Sequence, residues 1–299
     1  MRRASAAADV TYEHGSDAGR LPAWLRRPLA HAGEYRAVED LLGELHLATV
    51  CQEAKCPNRG ECFASGTATF LVAGDVCTRG CRFCAVETRA PLPLDPDEPA
   101  RVAEAVARLG LRHAVVTMVT RDDLPDGAAG HVVATIAAIR SAAPGVAVEV
   151  LVSDLGGSAE AVDLVVDARP DVFNHNLETV PRLYAGVRPG ADYARSLSVL
   201  AHAKERAPGM PTKSGLMLGL GETRDEVLAV MRDLRDVGCD LLTLGQYLRP
   251  SSAHLPVAAF IEPAEFASLA REGRKMGFSG VASAPLVRSS YHAAELVAD

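Results

Sequence analysis

The sequence is poor in aromatic residues, has no long apolar run and carries no excess of positive charge. Aromatic side chains make up 5% of the 299 residues, with a single tryptophan. No stretch approaches the roughly 20 consecutive apolar residues that a membrane-spanning helix needs. The net charge of -7, from 31 basic and 38 acidic residues, argues against a protein that binds by neutralising nucleic-acid phosphates.

The beginning of the chain also lacks the continuous apolar segment of a secretory signal. We therefore expect residues 1–20 to form a mobile tail, and the protein to be cytoplasmic. Because 48% of the residues are apolar, the remainder of the chain is long enough to bury one large core. A single α/β barrel is common at this length.

Cysteine is almost absent outside one stretch of the chain. Six of the seven cysteines fall in two sets of three, namely Cys51, Cys56 and Cys62, followed by Cys77, Cys81 and Cys84. Structural disulfides are rare in a reducing cytosol, so metal ligation is the better interpretation of this crowding. The seventh, Cys239, lies in an apolar setting that is typical of a buried and inert thiol.

The grouping in threes distinguishes between metals. Structural zinc sites usually have four ligands, often arranged as two C-x2-C pairs. Two complete four-thiolate clusters would require eight cysteines, so each set here is one ligand short. A three-thiolate iron–sulfur cluster leaves one iron open to a substrate or to an unusual ligand, and thiolates favour iron–sulfur chemistry over magnesium or calcium.

The rest of the chain alternates between strand-like and helix-like patterns. Apolar, β-branched runs predict six strands, at residues 68–74, 113–119, 146–152, 171–176, 213–220 and 240–246. A helical pattern follows each of them, at residues 98–110, 131–142, 158–168, 194–207, 223–238 and 262–277. Thr223 and Glu226 have the spacing of a capping box, Pro263 suits a first helical turn, and Gly238 and Gly277 suit helix ends.

Six strand-then-helix units predict an α/β fold, a partial (βα)6 TIM-type barrel. We divide the chain into a tail, an N-terminal extension that carries the first cysteine set, the barrel, and a C-terminal segment, at residues 1–20, 21–65, 66–285 and 286–299. Chemistry in such barrels lies at the carboxyl ends of the strands. The loop with the second cysteine set follows the first predicted strand, so it is expected on that face.

The two cysteine spacings resemble those of a known family. C-x3-C-x2-C with Phe83 before its last cysteine resembles the signature of radical S-adenosylmethionine enzymes, and C-x4-C-x5-C resembles the mark of lipoyl synthases among them. Further segments similar to lipoyl synthases lie along most of the chain, at residues 22–30, 119–131, 173–184, 187–197, 213–223, 242–251 and 288–293. The resemblance covers residues 20 to 293.

The resemblance implies a reaction and two 4Fe-4S clusters. Lipoyl synthases insert two sulfur atoms, at C6 and C8 of an octanoyl chain held on a lysine of a carrier domain. The cluster on Cys77, Cys81 and Cys84 is implied to bind S-adenosylmethionine and to generate a radical. The auxiliary cluster is implied to donate the sulfur, with a fourth ligand from the RSSY motif. We assign that ligand to Ser290, with Ser289 as the alternative.

Other polar residues have both a functional and a plainer interpretation. The S-adenosylmethionine contacts implied by strand-end position and by the resemblance are Asn176, Glu178, Gly219, Gly221 and Arg188. The plainer interpretation of Asn176 and Glu178 is a loop whose polar groups are hydrogen-bonded within the protein. For the two glycines it is a tight turn, and for Arg188 it is a solvated surface charge. Asp122 and Asp123 are expected on the substrate side, or otherwise in an ordinary turn.

The resemblance also implies partners. These are octanoylated lipoyl carrier domains (the glycine cleavage H protein and the E2 subunits of 2-oxoacid dehydrogenases), a flavodoxin or ferredoxin as reductant, and an iron–sulfur carrier that rebuilds the donor cluster. Two other hypotheses stay open from the sequence. One is a biotin-synthase-like radical enzyme that acts on a free small molecule, and the other is an iron–sulfur electron carrier without catalysis.

Overall fold

The structure is a computed structural model that describes residues 21–26, 36–53, 56, 58, 61–62, 69–291 and 293–298. The predicted N-terminal tail, residues 1–20, lies outside the described residues. So do most of the positions between Cys51 and Thr69.

One eight-stranded sheet forms the centre of the fold. Its strands follow one another in chain order, so that each neighbours the next. They are β1 (Ala48–Thr49), β2 (Thr69–Val72), β3 (His113–Met118), β4 (Ala147–Leu151), β5 (Val172–Asn174), β6 (Thr212–Leu218), β7 (Leu241–Gln246) and β8 (Gly280–Ser283). All neighbours from β2 to β8 are parallel, whereas β1 pairs with β2 in the antiparallel sense.

Helices precede, connect and follow the strands. They are α1 (Arg36–Glu44), α2 (Val50–Glu53), α3 (Glu98–Arg108), α4 (Ala129–Ala142), α5 (Ala159–Asp167), α6 (Tyr184–Val187), α7 (Tyr193–Arg206), α8 (Arg224–Asp236), α9 (Pro263–Lys275) and α10 (Ala293–Ala298). Helices α3, α4, α5, α7, α8 and α9 each bury an apolar face. Within the described part of the chain, none of the helices has the length and apolarity to cross a membrane.

The predicted partial (βα)6 barrel is confirmed. All six predicted strands and the six helices between and after them are present, with ends that differ by a few residues. The capping box of Thr223 and Glu226 forms, and Pro263 begins α9. The structure adds two strands to this sheet that the sequence pattern did not predict, and Val76–Cys77 pairs with Glu87–Thr88 in a separate two-stranded sheet. The seventh parallel strand is β8, and β1 of the N-terminal extension lies at the opposite edge.

The barrel interior contains a buried ion pair rather than only apolar side chains. Lys213 of β6 donates to both carboxylate oxygens of Glu149 of β4, at 2.9 and 3.1 Å, and both side chains are fully buried. Asn174 also donates to Glu149, at 2.9 Å. Burial opposes ionisation of Glu149, but the charge of Lys213 and the hydrogen bonds to the carboxylate together outweigh it and lower the pKa of Glu149. This cluster joins β4, β5 and β6 inside the barrel.

The segment after β8 packs closely on two barrel strands at positions that lack a side chain. We call residues 286–291 the C-terminal strap. A Cβ at Gly245 of β7 would overlap the carbonyl oxygen of Val287, and a Cβ at Gly215 of β6 would lie 3.1 Å from Ser289 Oγ. The strap therefore depends on glycine at both positions to approach the sheet.

We expect Gly245→Ala to destabilise the protein by about 1–3 kcal/mol, since the added methyl group overlaps the backbone of the strap. The measurement is thermal or denaturant unfolding of the purified chain. Gly43→Ala is the matched control, because Gly43 lies within α1 with nothing within 4 Å of an added Cβ. That control is expected to gain about 0.5–1 kcal/mol from helix propensity. Wild-type stability in Gly245→Ala would contradict this packing.

Candidate functional site

A cavity of about 430 Å³ opens at the carboxyl ends of the parallel strands. Cysteines of both sets line it, namely Cys51, Cys56, Cys77, Cys81 and Cys84. Cys62 packs against the apolar core as a partly buried side chain. The fold thus brings the two sequence motifs to one space, although they lie on opposite sides of strand β2.

The loop that carries Cys77, Cys81 and Cys84 is fixed by an arginine within it. Arg79 donates to both oxygens of Asp122, at 2.6 and 2.7 Å, and to Asp154 at 2.8 Å. The side chain of Asp154 is fully buried. Burial opposes ionisation of Asp154, but the hydrogen bond and charge of Arg79 outweigh it and lower its pKa. Arg79 therefore ties the cysteine loop to the segments that follow β3 and β4.

Two further contacts hold the same loop. Arg121 is fully buried and donates to the carbonyl oxygens of Ala73 and Leu92, both at 3.0 Å. The ring of His254 lies 3.0 Å from the carbonyl oxygen of Cys84. Polar side chains from beyond β3 and β7 thus satisfy backbone groups of a long connection with little secondary structure of its own.

The thiols of the site favour a positively charged ligand. Burial raises the pKa of Cys51 and Cys81, and it raises the pKa of Cys84 to about 12. A buried thiol gives up its proton readily only when a metal cation takes the place of the proton. Three soft donors around an open cavity fit an iron–sulfur cluster held by three thiolates.

The spacing of these thiols does not fit a single metal ion. Among the residues that the structure describes, no three His, Cys, Asp or Glu side chains converge closely enough to hold one ion. A tetrahedral zinc with bonds of about 2.3 Å would require such convergence. A four-iron cluster is larger and holds its thiolates farther apart, so the donor set fits a cluster better than zinc.

Polar groups from the segment after β5 face the cysteine loop across the cavity. Asn176, Glu178 and Arg188 all line it. The backbone of Glu178 is left-handed, with φ of 68°, and its amide donates to the carbonyl oxygen of Gly215 at 2.9 Å. Burial raises the pKa of Glu178, and the charge of Arg188 opposes that shift without cancelling it. These groups can receive the polar parts of a ligand.

Arg188 is buried and not a solvated surface charge. Its Nη1 donates to the carbonyl oxygens of Asn176 and Leu177, both at 3.0 Å, and to the hydroxyl of Tyr184 at 2.8 Å. Within the described residues its buried Nε has no hydrogen-bond partner. Arg188 therefore fixes the loop that presents Asn176 and retains a donor for a bound ligand.

His175 also lines the cavity, although no role was predicted for it. Its Nδ1 lies 2.9 Å from the carbonyl oxygen of Val152 and must donate to it, which leaves Nε2 as an acceptor. Burial and the charge of Arg188 lower the pKa of His175 to about 4, so the ring is neutral near pH 7. Across the described part of the chain, nothing donates to its buried Nε2.

Four predicted site residues lie off the cavity wall. Asp122 is bound to Arg79, and Asp123 accepts from Arg121 at 2.9 Å. Gly219 adjoins Gln246 and the carbonyl oxygen of Ala259. The space around Gly221 is open, and the nearest neighbour of an added Cβ would be the Ala258 side chain. Their roles toward substrate or S-adenosylmethionine stay predictions.

The remaining wall of the cavity is largely apolar. It includes Val50, Leu71, Val86, Met118, Leu151, Leu216, Met217 and Leu248. These side chains come from α2, the cysteine loop, strands β2, β3, β4 and β6, and the segment after β7. The cavity thus combines a polar end, soft metal donors and a surface suited to an aliphatic chain.

The C-terminal strap closes the cavity beside the first cysteine set. Val287, Arg288, Ser289 and Ser290 line it. Asn58 donates to the carbonyl oxygen of Leu286 at 2.7 Å, which joins the strap to the first cysteine motif. The predicted ligand Ser290 is therefore on the same cavity as Cys51 and Cys56. Cys239 lies elsewhere, fully buried as predicted.

Sequence reasoning missed Arg79, His175 and Arg288 as residues of the site. Arg79 and Arg288 each stand inside a motif that was recognised, and a charge within such a motif was the available signal. His175 also stands inside a recognised segment, residues 173–184, but its orientation follows from burial against the residues after β4. None of these placements could be read from spacing alone.

Comparisons with known proteins agree with this geometry. The Radical SAM superfamily profile matches residues 71–234. A solved methylornithine synthase has a TM-score of 0.57 at 14% identity, covering 86% of this chain and 72% of that one. The FeFe-hydrogenase maturase HydG of Carboxydothermus hydrogenoformans also has a TM-score of 0.57, at 15% identity, covering 77% and 65%. At these identities the structural likeness shows the fold.

Curated relatives are far more similar in sequence. A lipoyl synthase of Caldanaerobacter subterraneus is 58% identical, with 92% of this chain and 96% of that one covered. The lipoyl synthases of Geobacter sulfurreducens and Rubrobacter xylanophilus are 59% and 56% identical, covering 92% and 93% of this chain and 90% and 87% of theirs. The chain therefore belongs to the lipoyl synthase family of the Radical SAM superfamily.

Proposed function

We propose that this chain inserts sulfur at C6 and C8 of an octanoyl chain carried on a protein lysine, and so forms the lipoyl group. The observation that carries the proposal is the single cavity lined by cysteines of both sets and by an apolar wall. A radical that abstracts a hydrogen atom and a sulfur source that replaces it must both reach the same carbon. A shared cavity meets that requirement without movement of the substrate between sites.

The chemistry of the substrate explains why two clusters are needed. C6 and C8 have no neighbouring carbonyl group to acidify their hydrogens, so a positioned base cannot remove those hydrogens as protons. When bound, S-adenosylmethionine with one cluster would supply a hydrogen-abstracting radical, and the other cluster would supply the two sulfur atoms. The protein has to bind, orient and isolate these reactants.

Cys77, Cys81 and Cys84 would hold the radical-generating cluster. Asn176, Glu178 and Arg188 lie on the same cavity and offer an amide, a carboxylate and a guanidinium. We assign these groups to the ribose and amino-acid parts of S-adenosylmethionine. Because the pKa of Cys84 is raised to about 12 by burial, metal binding rather than free thiolate would account for its ionised form.

The apolar wall would bind the octanoyl chain. Leu71, Val86, Met118 and Leu216 present aliphatic or thioether surfaces to the cavity. Enclosing an alkyl chain there excludes water and gains about 0.8 kcal/mol for each buried methylene group. The same enclosure would keep a reactive carbon away from solvent and from other hydrogen donors.

Cys51, Cys56, Cys62 and Ser290 would hold the sulfur-donating cluster. A serine oxygen is a hard ligand on a soft cluster and binds it less well than a thiolate would. A weak fourth ligand suits a cluster that must come apart in the reaction. We further propose octanoylated lipoyl carrier domains as substrate, a flavodoxin or ferredoxin as reductant, and an iron–sulfur carrier that rebuilds the donor.

The first prediction concerns metal content. The chain reconstituted under anaerobic conditions should hold about eight irons, because two sets of thiolates would each hold a four-iron cluster. Iron and acid-labile sulfide are measured on the purified protein. Replacing Cys51, Cys56 and Cys62 with alanine should leave about four irons. Saturation of the wild-type chain at four irons, or with zinc, would contradict the two-cluster proposal.

The second prediction concerns the radical-generating set. Cys81→Ala should reduce 5′-deoxyadenosine formation to background, since two thiolates are too few to hold the cluster in a reactive state. Formation of 5′-deoxyadenosine and methionine is measured with a reductant. Cys239→Ala is the matched control, because that thiol is fully buried away from the cavity and should retain cleavage. Normal cleavage by Cys81→Ala would remove this set from the proposed role.

The third prediction separates the two sets. The alanine variant of Cys51, Cys56 and Cys62 should still cleave S-adenosylmethionine in the presence of an octanoyl-lysine peptide, yet yield no sulfur-containing product. Mass spectrometry of the peptide checks this, with wild-type protein expected to add two sulfurs. Wild-type protein with isotopically labelled cluster sulfide should transfer the label. Unlabelled product would refute the donor role, and product formed only from free octanoate would favour the biotin-synthase-like alternative.

A further inference from the structure

The two serines of the RSSY motif have different surroundings. Both line the cavity. The hydroxyl oxygen of Ser289 lies 2.6 Å from Nδ2 of Asn176 and 3.0 Å from its Oδ1, so one hydroxyl engages both ends of the amide. Among the residues that the structure describes, the Ser290 hydroxyl has no such partner. Ser290 is thus the serine that is available to a ligand.

The pair of Ser289 and Asn176 is closely packed. A Cβ at Gly215 would lie 3.0 Å from Asn176 Oδ1 and 3.1 Å from Ser289 Oγ, so neither side chain has room on that side. Asn176 is 8% exposed. A buried amide cannot exchange a lost hydrogen-bond partner freely for water. Its orientation therefore depends on the serine hydroxyl.

The amide of Asn176 keeps binding capacity in this arrangement. A carboxamide offers two N–H donors and two acceptor lone pairs, and Ser289 uses one of each. The remaining lone pair is available to a ligand in the cavity, and a hydrogen bond from the amide acts on the Glu178 carboxylate of the same wall, where it opposes the burial that raises the pKa of Glu178. Because the amide is already held in one orientation, ligand binding does not carry the entropic cost of ordering it.

The strap that carries Ser289 is also tied to the first cysteine motif. Asn58 donates to the carbonyl oxygen of Leu286 at 2.7 Å, and the Tyr291 hydroxyl lies 2.9 Å from a carboxylate oxygen of Glu61. Ser289 and Ser290 lie between these two anchors. The Ser289 hydroxyl is therefore the point at which a strap anchored to the donor motif contacts a residue of the opposite wall.

We propose that Ser289 is a positioning residue, which orients the Asn176 amide toward S-adenosylmethionine and does not ligate the auxiliary cluster. The inference rests on the proposed function in one respect, that Asn176 belongs to the S-adenosylmethionine site. Neighbouring serines then serve the two halves of the cavity, Ser289 through Asn176 and Ser290 through the donor cluster.

The test measures S-adenosylmethionine affinity and iron content of the anaerobic holoprotein. Ser289→Ala should weaken binding about three- to tenfold, the loss expected for one hydrogen bond that orients a buried amide. It should retain the iron content of the wild type, whereas Ser290→Ala should hold less iron in the auxiliary cluster. Loss of iron from Ser289→Ala to the extent of Ser290→Ala would overturn the proposal.

A double-mutant cycle tests whether Ser289 affects S-adenosylmethionine affinity through Asn176. If Ser289 acts through Asn176, adding Ser289→Ala to Asn176→Ala should change the affinity no further than Asn176→Ala alone. Additive losses would overturn the positioning role. Normal binding by Asn176→Ala would instead remove Asn176 from the proposed site. Weak binding by Asn176→Ala with normal binding by Ser289→Ala would overturn the inference alone and leave the proposed function intact.

Ser198→Ala is the matched control for loss of a serine hydroxyl. Ser198 is exposed on α7, and its hydroxyl donates to the carbonyl oxygen of Arg195 at 2.8 Å. It should retain both wild-type affinity and wild-type iron. An equal loss of affinity in Ser198→Ala and Ser289→Ala would show that the effect is not specific to the cavity, and would also overturn the proposal.

Discussion

The double ion pair of Arg79 is the interaction on which the geometry of the cavity depends. It joins the cysteine loop to Asp122 after β3 and to Asp154 after β4. Asp154 is fully buried, and losing one partner of a buried pair costs far more than the pair contributes to stability. If the loop moved away from the strand ends, the buried carboxylate of Asp154 would lose its partner Arg79. That constraint places Cys77, Cys81 and Cys84 over the barrel before any ligand binds.

A second buried pair supports the cavity from within the barrel. Glu149 and Lys213 join β4 to β6, and Asn174 at the end of β5 donates to the same carboxylate. Such a pair adds little net stability compared with apolar packing. Its effect here is positional, because it fixes the strand end from which His175 and Asn176 follow.

Much of the fold was predictable because the governing signals are local. Apolar runs and helical periodicity identify six strands and six helices, and helix ends follow from residues such as Thr223 and Pro263. Strand β1 was missed because it has only two residues, and β8 was missed because its sequence GVAS consists mainly of small residues and forms no apolar, β-branched run. Strand order followed only once the sheet was seen, since spacing along the chain does not determine it.

The candidate site was likewise predictable only where its signals are local in the sequence. Cysteine spacing identified both cysteine motifs, and strand-end position identified Asn176 and Glu178, which line the same cavity. The partners of Arg79 lie 43 and 75 positions along the chain, and those of Ser289 lie 113 positions away. No local sequence pattern indicates contacts between residues that are so far apart along the chain. Pairing between a charge and its partner, or between a serine and an amide, is set by the tertiary fold.

The two metal motifs are held by different kinds of contact, and the difference matches their proposed chemistry. The motif with Cys81 is fixed by a buried guanidinium and two carboxylates. For the motif with Cys51, the described contacts include a side-chain amide of Asn58 on the backbone of the strap. A radical-generating cluster has to survive each turnover, so rigid anchoring favours it. A cluster that is consumed and rebuilt has to be released, and breaking a hydrogen bond to the strap costs less than breaking a buried ion pair.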